Sequence, residues 1–154
     1  MNQRLSPRPG EWIDRDRPVE FRFEGRTYRG YEGDVLSSAL WANDVRLLGR
    51  SFKYHRPRGI YSLAGWDANV IVEDALRTNL RGDMLPIRPG LDVRAVNTAG
   101  GLARDRLSIA ERFSPLLPVG FYYKAFHTPR RLFPLYERLI RNVAGLGSIN
   151  PDGR

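Results

Sequence analysis

Cysteine is absent from the 154 residues of this chain. That excludes disulfides, thiolate nucleophiles, cysteine-ligated zinc and ordinary iron–sulfur clusters, all of which need thiolate sulfur. Histidine is almost as scarce: His55 and His127 are the only two, too few for most metal sites. No G-x-S-x-G accompanies either, so a serine triad lacks its nucleophile turn. No apolar run approaches the ~18 residues of a membrane span. The opening "MNQRLSPRPGEWIDRDRP" has no apolar h-region, so it does not read as a signal peptide, and the expectation is a soluble, cytoplasmic protein with no membrane partner. There is no G-x-G-x-x-G and no room for one with its βαβ unit. Internal repeats and low-complexity segments are missing as well.

What is present suffices for one domain. Hydrophobic residues make up 42% of the chain, enough for a real core. The 25 basic residues outnumber 17 acidic ones, giving a net charge of +8, and all of them but Lys53 and Lys124 are arginine. Guanidinium forks suit carboxylates and phosphates. A GC-rich genome choosing arginine codons accounts for the same count. Charge alone therefore leaves an anionic cofactor, an acidic partner subunit and nucleic acid all open. The alternative function, a small basic nucleic-acid-binding module, draws on the arginine–aromatic interleaving of "RSFKYHRPR". Against it, the arginines are spread along the whole chain and no nucleic-acid-binding motif occurs.

The hydrophobic pattern orders the elements. Residues 1–17 read as a polar, proline-containing arm. In "PVEFRFEGRTYRGY", Val19, Phe21 and Phe23 alternate with Glu20, Arg22 and Glu24, a half-buried strand that turns at "EGR" and returns as a hairpin. Asp34 reads as the N-cap of a helix whose apolar face is Val35, Leu36, Ala39 and Leu40, ending at Asn43 and Asp44. "VRLLGR", "NVIVE" and "GLDVRAVN" read as short strands, and 74–89 as irregular. "AGGLARDRLSIAERFSP" has the spacing of a short helix or two turns. "LLPVGFYYKAFHTP" reads as an extended segment packed on another surface, with His127 packed rather than acting as a base. The clearest helical pattern follows, with Leu132, Leu135, Tyr136, Leu139, Ile140 and Val143 on one face, Thr128 and Pro129 at its start and Gly145 past its end. The expected domains are an arm over 1–17, a hairpin–helix–sheet unit over 18–100 and a C-terminal helical arm and tail over 101–154. A hairpin followed by a helix across a small mixed sheet is the β-grasp arrangement, an α+β fold, and a fold alone does not give a function.

Three stretches carry a resemblance: "GDVLSSALWANDVRLLGRSFKYHRPRGIYS", "LPVGFYYKAF" and "LIRNVAGLG". Over about 13–147 the chain resembles the N-terminal domain of the alpha subunit of heterotetrameric sarcosine oxidase. That domain is similar to a plant-type [2Fe–2S] ferredoxin. Related small subunits, such as those of hydrogen cyanide synthase and hydroxyproline dehydrogenase, keep the cluster on a loop "RG-hydrophobic-F-C-x4-C-x2-C" followed by a later "VRAC". Laid on that pattern, "RGIY" is retained, while Ser62, Asp67, Val70 and Val96 stand at the four ligand positions. Valine has no lone pair to donate, and Ser62 with Asp67 cannot hold an iron pair. The resemblance thus implies a ferredoxin-like domain without its cluster, in which Trp66, Ile71 and Val72 fill the vacated space.

The resemblance further implies a non-catalytic, redox-silent structural or docking component of a flavin-dependent amine oxidase or dehydrogenase. Such a complex demethylates sarcosine or a related secondary amine. FAD, FMN, NAD and folate are then cofactors of the complex and none is bound by this chain alone. The implied partners are the flavin- and dinucleotide-binding subunits, with no nucleic acid and no metal. The chain ends about where a Rossmann region would begin in the resembled subunit, as expected of a shortened or a split alpha subunit. Candidate docking residues are Arg50, Lys53, Tyr54, His55, Arg56 and Arg58 in the basic segment, for which a solvated loop is the other reading. A second set is Phe121, Tyr122, Tyr123 and Lys124, which read equally as core or as interface. No residue is assigned a catalytic role.

Overall fold

The computed structural model describes residues 4–51, 54–109, 112, 130–135 and 138. The alternating segment near the N-terminus forms β1 (Asp14–Phe23), which turns into β2 (Arg26–Glu32) as an antiparallel hairpin. Val19, Phe21 and Phe23 are buried and the residues between them exposed, as period-two alternation requires. Phe21 packs against Tyr28 across the hairpin, ring centroids 6.0 Å apart.

The chain then enters α1 (Leu36–Ala42), whose Leu36, Ala39 and Leu40 are fully buried. The cap differs from the expected one. Val35 holds the N-cap position, while the Asp34 carboxylate accepts from Tyr31 N (2.9 Å) and Ser38 Oγ (2.9 Å) and forms an ion pair with Arg4. At the other end Asp44 takes a left-handed φ of 61°. Its N–H donates to Trp41 O (3.0 Å) and that of Val45 to Leu40 O (3.0 Å), the pairing that stops a helix at an αL residue.

Two-residue strands β3 (Gly49–Arg50) and β4 (Pro57–Arg58) form a separate antiparallel ribbon. After a loop come β5 (Ile71–Glu73), β6 (Leu80–Arg81) and β7 (Asp92–Ala95). The main sheet has the order β2-β1-β7-β5-β6, with β1 and β7 parallel and the other neighbours antiparallel. The result is a mixed sheet with one described α-helix of any length against it. The core joins Phe21 and Phe23 of β1, Leu36 and Leu40 of α1, Leu48, Val70, Val72 and Val93.

Three details depart from the sequence pattern. The first strand begins at Asp14, inside the expected arm, and Arg4 is drawn onto Asp34. The stretch 74–89 contributes β6. In the C-terminal helix pattern, Arg130–Leu132 form a 3-10 turn and 133–135 are helical, but Leu132 and Leu135, expected on a buried face, are exposed. Apart from Arg138, the remainder of that helix, His127 and the aromatic stretch Phe121, Tyr122, Tyr123 and Lys124 lie outside the described residues.

Candidate functional site

The loop 59–70 joins β4 to β5, and a carboxylate organises it. Asp67 is fully buried. Its Oδ2 accepts from Tyr61 N (2.8 Å) and Ser62 N (3.3 Å), and its Oδ1 from Asn69 N (2.6 Å). Three main-chain N–H groups thus converge on one anion. Buried donors need such a partner, and bonds to an ionised acceptor are the stronger kind. The Asp67 N–H in turn donates to Asp83 Oδ2 (2.7 Å). Asp83 is also buried, and Arg81 Nη2 lies 3.0 Å from the same oxygen while bonding the Gly65 carbonyl at the loop tip.

Between Arg81 and Asp83, Gly82 is required by contact. A Cβ there would meet Val70 Cγ1 at 2.5 Å and Ser37 Oγ at 3.1 Å. Gly82 N donates to Val70 O (2.8 Å) and Ser37 N to Gly82 O (2.9 Å), so α1, the loop's end and the 81–83 turn are stitched at one glycine. Ser37 Oγ, Arg81 Nε and Asp83 Oδ1 are buried with no hydrogen-bond partner among the described residues.

The four positions singled out in the sequence therefore meet different fates. Asp67 points inward and gathers the loop. The Ser62 hydroxyl accepts from Ala64 N (3.1 Å), closing a local turn. Val70 is core. Val96 is half-buried on the sheet, its N–H donating to Ile71 O (3.2 Å). The expected filling by Trp66 is wrong: Trp66 is 76% exposed, and Ile71 is only half-buried, whereas Val72 is core as expected. A carboxylate with its own hydrogen-bond donors fits the polar centre of this loop better than an indole does.

A [2Fe–2S] cluster does not fit these residues. The chain offers no thiolate, and such a cluster is held by four. Among the described residues no group of three His, Cys, Asp or Glu could hold a metal ion.

The basic segment also needs correction. Arg50 and His55 face inward. The His55 Nδ1 lies 2.8 Å from Asp105 Oδ2, and His55 is 2% exposed. Arg50 Nε donates to Leu102 O (2.9 Å) and its Nη1 to His55 O (2.8 Å), with Asp105 Oδ2 3.7 Å away. Asp105 Oδ1 accepts from Ala99 N (2.9 Å) and Leu107 N (3.1 Å). These two residues brace the ribbon against 99–107 and present no charge to a partner. Tyr54 is half-buried, with the Arg56 guanidinium 4.9 Å from its ring centroid, and Arg56 and Arg58 are exposed. Lys53 lies outside the described residues.

Asp83 and Asp105 were missed in the sequence. Asp105 carries a signal, an acid two residues before an apolar position at the start of a short turn, the N-cap pattern. Asp83 carries a weaker one, a glycine wedged between opposite charges.

A domain family described as "2Fe-2S iron-sulfur cluster binding domain" matches residues 16–98. The sarcosine oxidase subunit alpha of Rhizobium meliloti (strain 1021) is 44% identical over 140 residues, which are 88% of this chain and 14% of that protein. The sarcosine oxidase subunit alpha of Corynebacterium sp. (strain U-96) is 33% identical over 88 residues, 54% of this chain and 9% of that protein. Among solved structures, L-proline dehydrogenase from P. horikoshii is 26% identical, with a TM-score of 0.45, over 53% of this chain and 16% of its own. This chain thus spans a small part of the relatives it matches. The chain belongs to the 2Fe-2S iron–sulfur cluster binding domain family, as a member that has no cysteine to bind the cluster.

Proposed function

We propose that this chain is a redox-silent docking component of a multi-subunit, flavin-dependent amine oxidase or dehydrogenase that demethylates sarcosine or a related secondary amine. The observation that carries the reading is the loop closed on Asp67, in a chain 44% identical to part of a sarcosine oxidase alpha subunit. Where a cluster would move electrons, a carboxylate fixes the backbone, and a carboxylate has no accessible redox couple. The loop keeps its shape and loses its electrochemistry.

The sheet, with its hairpin, helix and parallel β1–β7 pair, is read as a cluster-free β-grasp over 18–100, flanked by an arm over 1–17 and a C-terminal helical arm over 101–154. The chemistry then belongs to companions in the cytoplasm that hold FAD, FMN, NAD and folate. Exposed Arg56 and Arg58, with Tyr54, remain candidates for contact with a flavin- or dinucleotide-binding partner, as does the stretch around Phe121. Nucleic acid is disfavoured as a partner because many arginines are engaged in ion pairs: Arg17 with Glu32, Arg22 with Asp92, Arg77 with Asp74, Arg94 with Glu73. Among the described residues no helix is long and apolar enough to cross a membrane.

The test is purification of the tagged chain from its own host. The expected result is a stable complex with a flavin-containing polypeptide, sarcosine-dependent flavin reduction in that complex, and no iron assigned to this chain. A chain that elutes alone, or one that carries stoichiometric iron and acid-labile sulfide, overturns the reading.

A further inference from the structure

Asp34 is 2% exposed, and its carboxylate is the meeting point of the corner between β2 and α1. Its Oδ2 accepts from Tyr31 N (2.9 Å) and its Oδ1 from Ser38 Oγ (2.9 Å). The remaining approach belongs to Arg4, 30 residues earlier in the chain. The guanidinium sets one nitrogen on each oxygen, Nη1 on Oδ1 at 3.1 Å and Nη2 on Oδ2. A guanidinium offers such a two-point fork and an ammonium does not. The guanidinium carbon also lies 5.1 Å from the centroid of the Tyr31 ring, so an aromatic face stands beside the carboxylate.

The corner is shaped to receive this group from the N-terminal arm. Gly33 holds a φ of 90°, and a Cβ on it would meet Trp12 O at 2.3 Å and Ile13 Cα at 3.2 Å. The absent side chain lets the arm's backbone lie directly on the corner. Arg15 closes the arm on itself: its Nη2 donates to Leu5 O (3.0 Å), and its Nε and Nη2 donate to the Glu11 carboxylate (2.6 and 2.8 Å). Hydrocarbon does not hold the arm down, because every residue of 5–12 is exposed, Leu5 and Trp12 included. Its inward-reaching side chain is Arg4, 11% exposed against the 1% of the Asp34 side chain.

We propose that Asp34, Tyr31 and Gly33 form a binding site for a guanidinium group, occupied by the chain's own Arg4 and closed by the arm that carries it. This goes beyond the function proposed above and does not depend on it. With the arm seated, the site takes no other ligand. With Arg4 withdrawn, a buried carboxylate loses its counter-charge, a costly arrangement that a free guanidinium relieves. The geometry sets the ligand class: a planar cation with two parallel N–H donors and a face for the Tyr31 ring, as in the side chain of an arginine-bearing peptide. An ammonium brings the charge without the fork.

The experiment uses the full chain with Arg4→Ala, and methylguanidinium as the probe. At about 10 mM, far below the range in which guanidinium denatures, the probe should raise the thermal midpoint of Arg4→Ala by about 3 °C and leave wild type unmoved. Methylammonium at the same concentration should give a clearly smaller shift. A second readout is local. The Tyr31 N–H donates to Asp34 Oδ2, so its amide resonance should move with the probe in Arg4→Ala and stay still in wild type. Adding Asp34→Asn to Arg4→Ala should remove both responses. If Arg4→Ala does not fold, methylguanidinium in the refolding buffer should restore folding, and failure to do so overturns the proposal. A folded Arg4→Ala that shows neither response overturns it, as does a wild type that responds equally or a response that survives Asp34→Asn. Equal shifts from methylammonium and methylguanidinium overturn it too, because the site then reads charge and not the fork.

Discussion

The main-chain N–H of Asp67 donates to the carboxylate of Asp83 at 2.7 Å, joining two buried acids that stand 16 residues apart. One carboxylate gathers the loop's N–H groups, and the second holds the first in place. The loop's conformation therefore depends on acceptor oxygens supplied from within the chain.

Removing one of those acceptors tests the dependence. Asp67→Ala leaves the N–H groups of Tyr61, Ser62 and Asn69 without their acceptor. At roughly 1 kcal/mol for each, the variant should lose about 3 kcal/mol in urea unfolding. Formate is a free carboxylate of the right size for the vacated space. It should raise the thermal midpoint of Asp67→Ala in proportion to the logarithm of its concentration and leave wild type unmoved, with chloride at equal ionic strength as control. A variant as stable as wild type would show that Asp67 is not the organiser.

The close approach at Gly82 predicts a coupled pair. Gly82→Ala drives a methyl group into Val70 Cγ1 and should cost about 1–3 kcal/mol. Val70→Ala opens a cavity in the core and should cost about 2–3 kcal/mol. In the double variant the new methyl occupies part of the vacated volume, so the combined loss should be at least 1 kcal/mol smaller than the sum of the single losses. Additive losses, measured by denaturant unfolding, would mean that the two side chains do not meet.

The His55–Asp105 brace separates bonding from backbone strain. His55 holds a φ of 53°, a left-handed conformation that glycine adopts freely and a residue with a Cβ does not. His55→Ala and His55→Gly both remove the 2.8 Å contact to Asp105. Only the glycine variant relieves the strain, so it should be more stable than the alanine variant by about 1 kcal/mol. Asp105→Ala should be worse than either, at about 3 kcal/mol, because Arg50 then loses its counter-charge at a position 11% exposed. If alanine and glycine at position 55 unfold at the same denaturant concentration, the left-handed conformation carries no strain.

Local patterns made the hairpin and α1 legible. Val19, Phe21 and Phe23 repeat every second residue, and Leu36, Ala39 and Leu40 share a helical face, so each element declares its own buried side. The family was legible too, in the stretch "GDVLSSALWANDVRLLGRSFKYHRPRGIYS", which lies within the matched residues 16–98. Trp66 was misread for a physical reason. Spacing does not say whether hydrocarbon or a hydrogen-bonded carboxylate fills the centre of the loop, and three converging N–H groups decide for the carboxylate. His55 and Asp105 lie 50 residues apart, beyond any periodicity, so their pairing had no local trace. β6 is two residues long and owes its existence to β5 beside it.

The same geometry favours a different fourth position from the one that the sequence pattern offers. Sequence spacing puts Val96 there, but the described contacts of Val96 run to Ile71 along the sheet, whereas Asp83 reaches Asp67 itself. Thiolates hold a [2Fe–2S] cluster only if all four converge on one small volume. With Ser62→Cys, Asp67→Cys and Val70→Cys as a common background, adding Asp83→Cys should therefore give a protein that takes up two irons and two sulfides on anaerobic reconstitution. It should show visible charge-transfer absorption and, once reduced, an electron paramagnetic resonance signal. Adding Val96→Cys to the same background should give a colourless protein. Val70 is core, so its replacement loosens both quadruple variants equally and the comparison between them stays fair. A coloured Val96 variant beside a colourless Asp83 variant would reverse the assignment and place the fourth corner of the loop on the sheet.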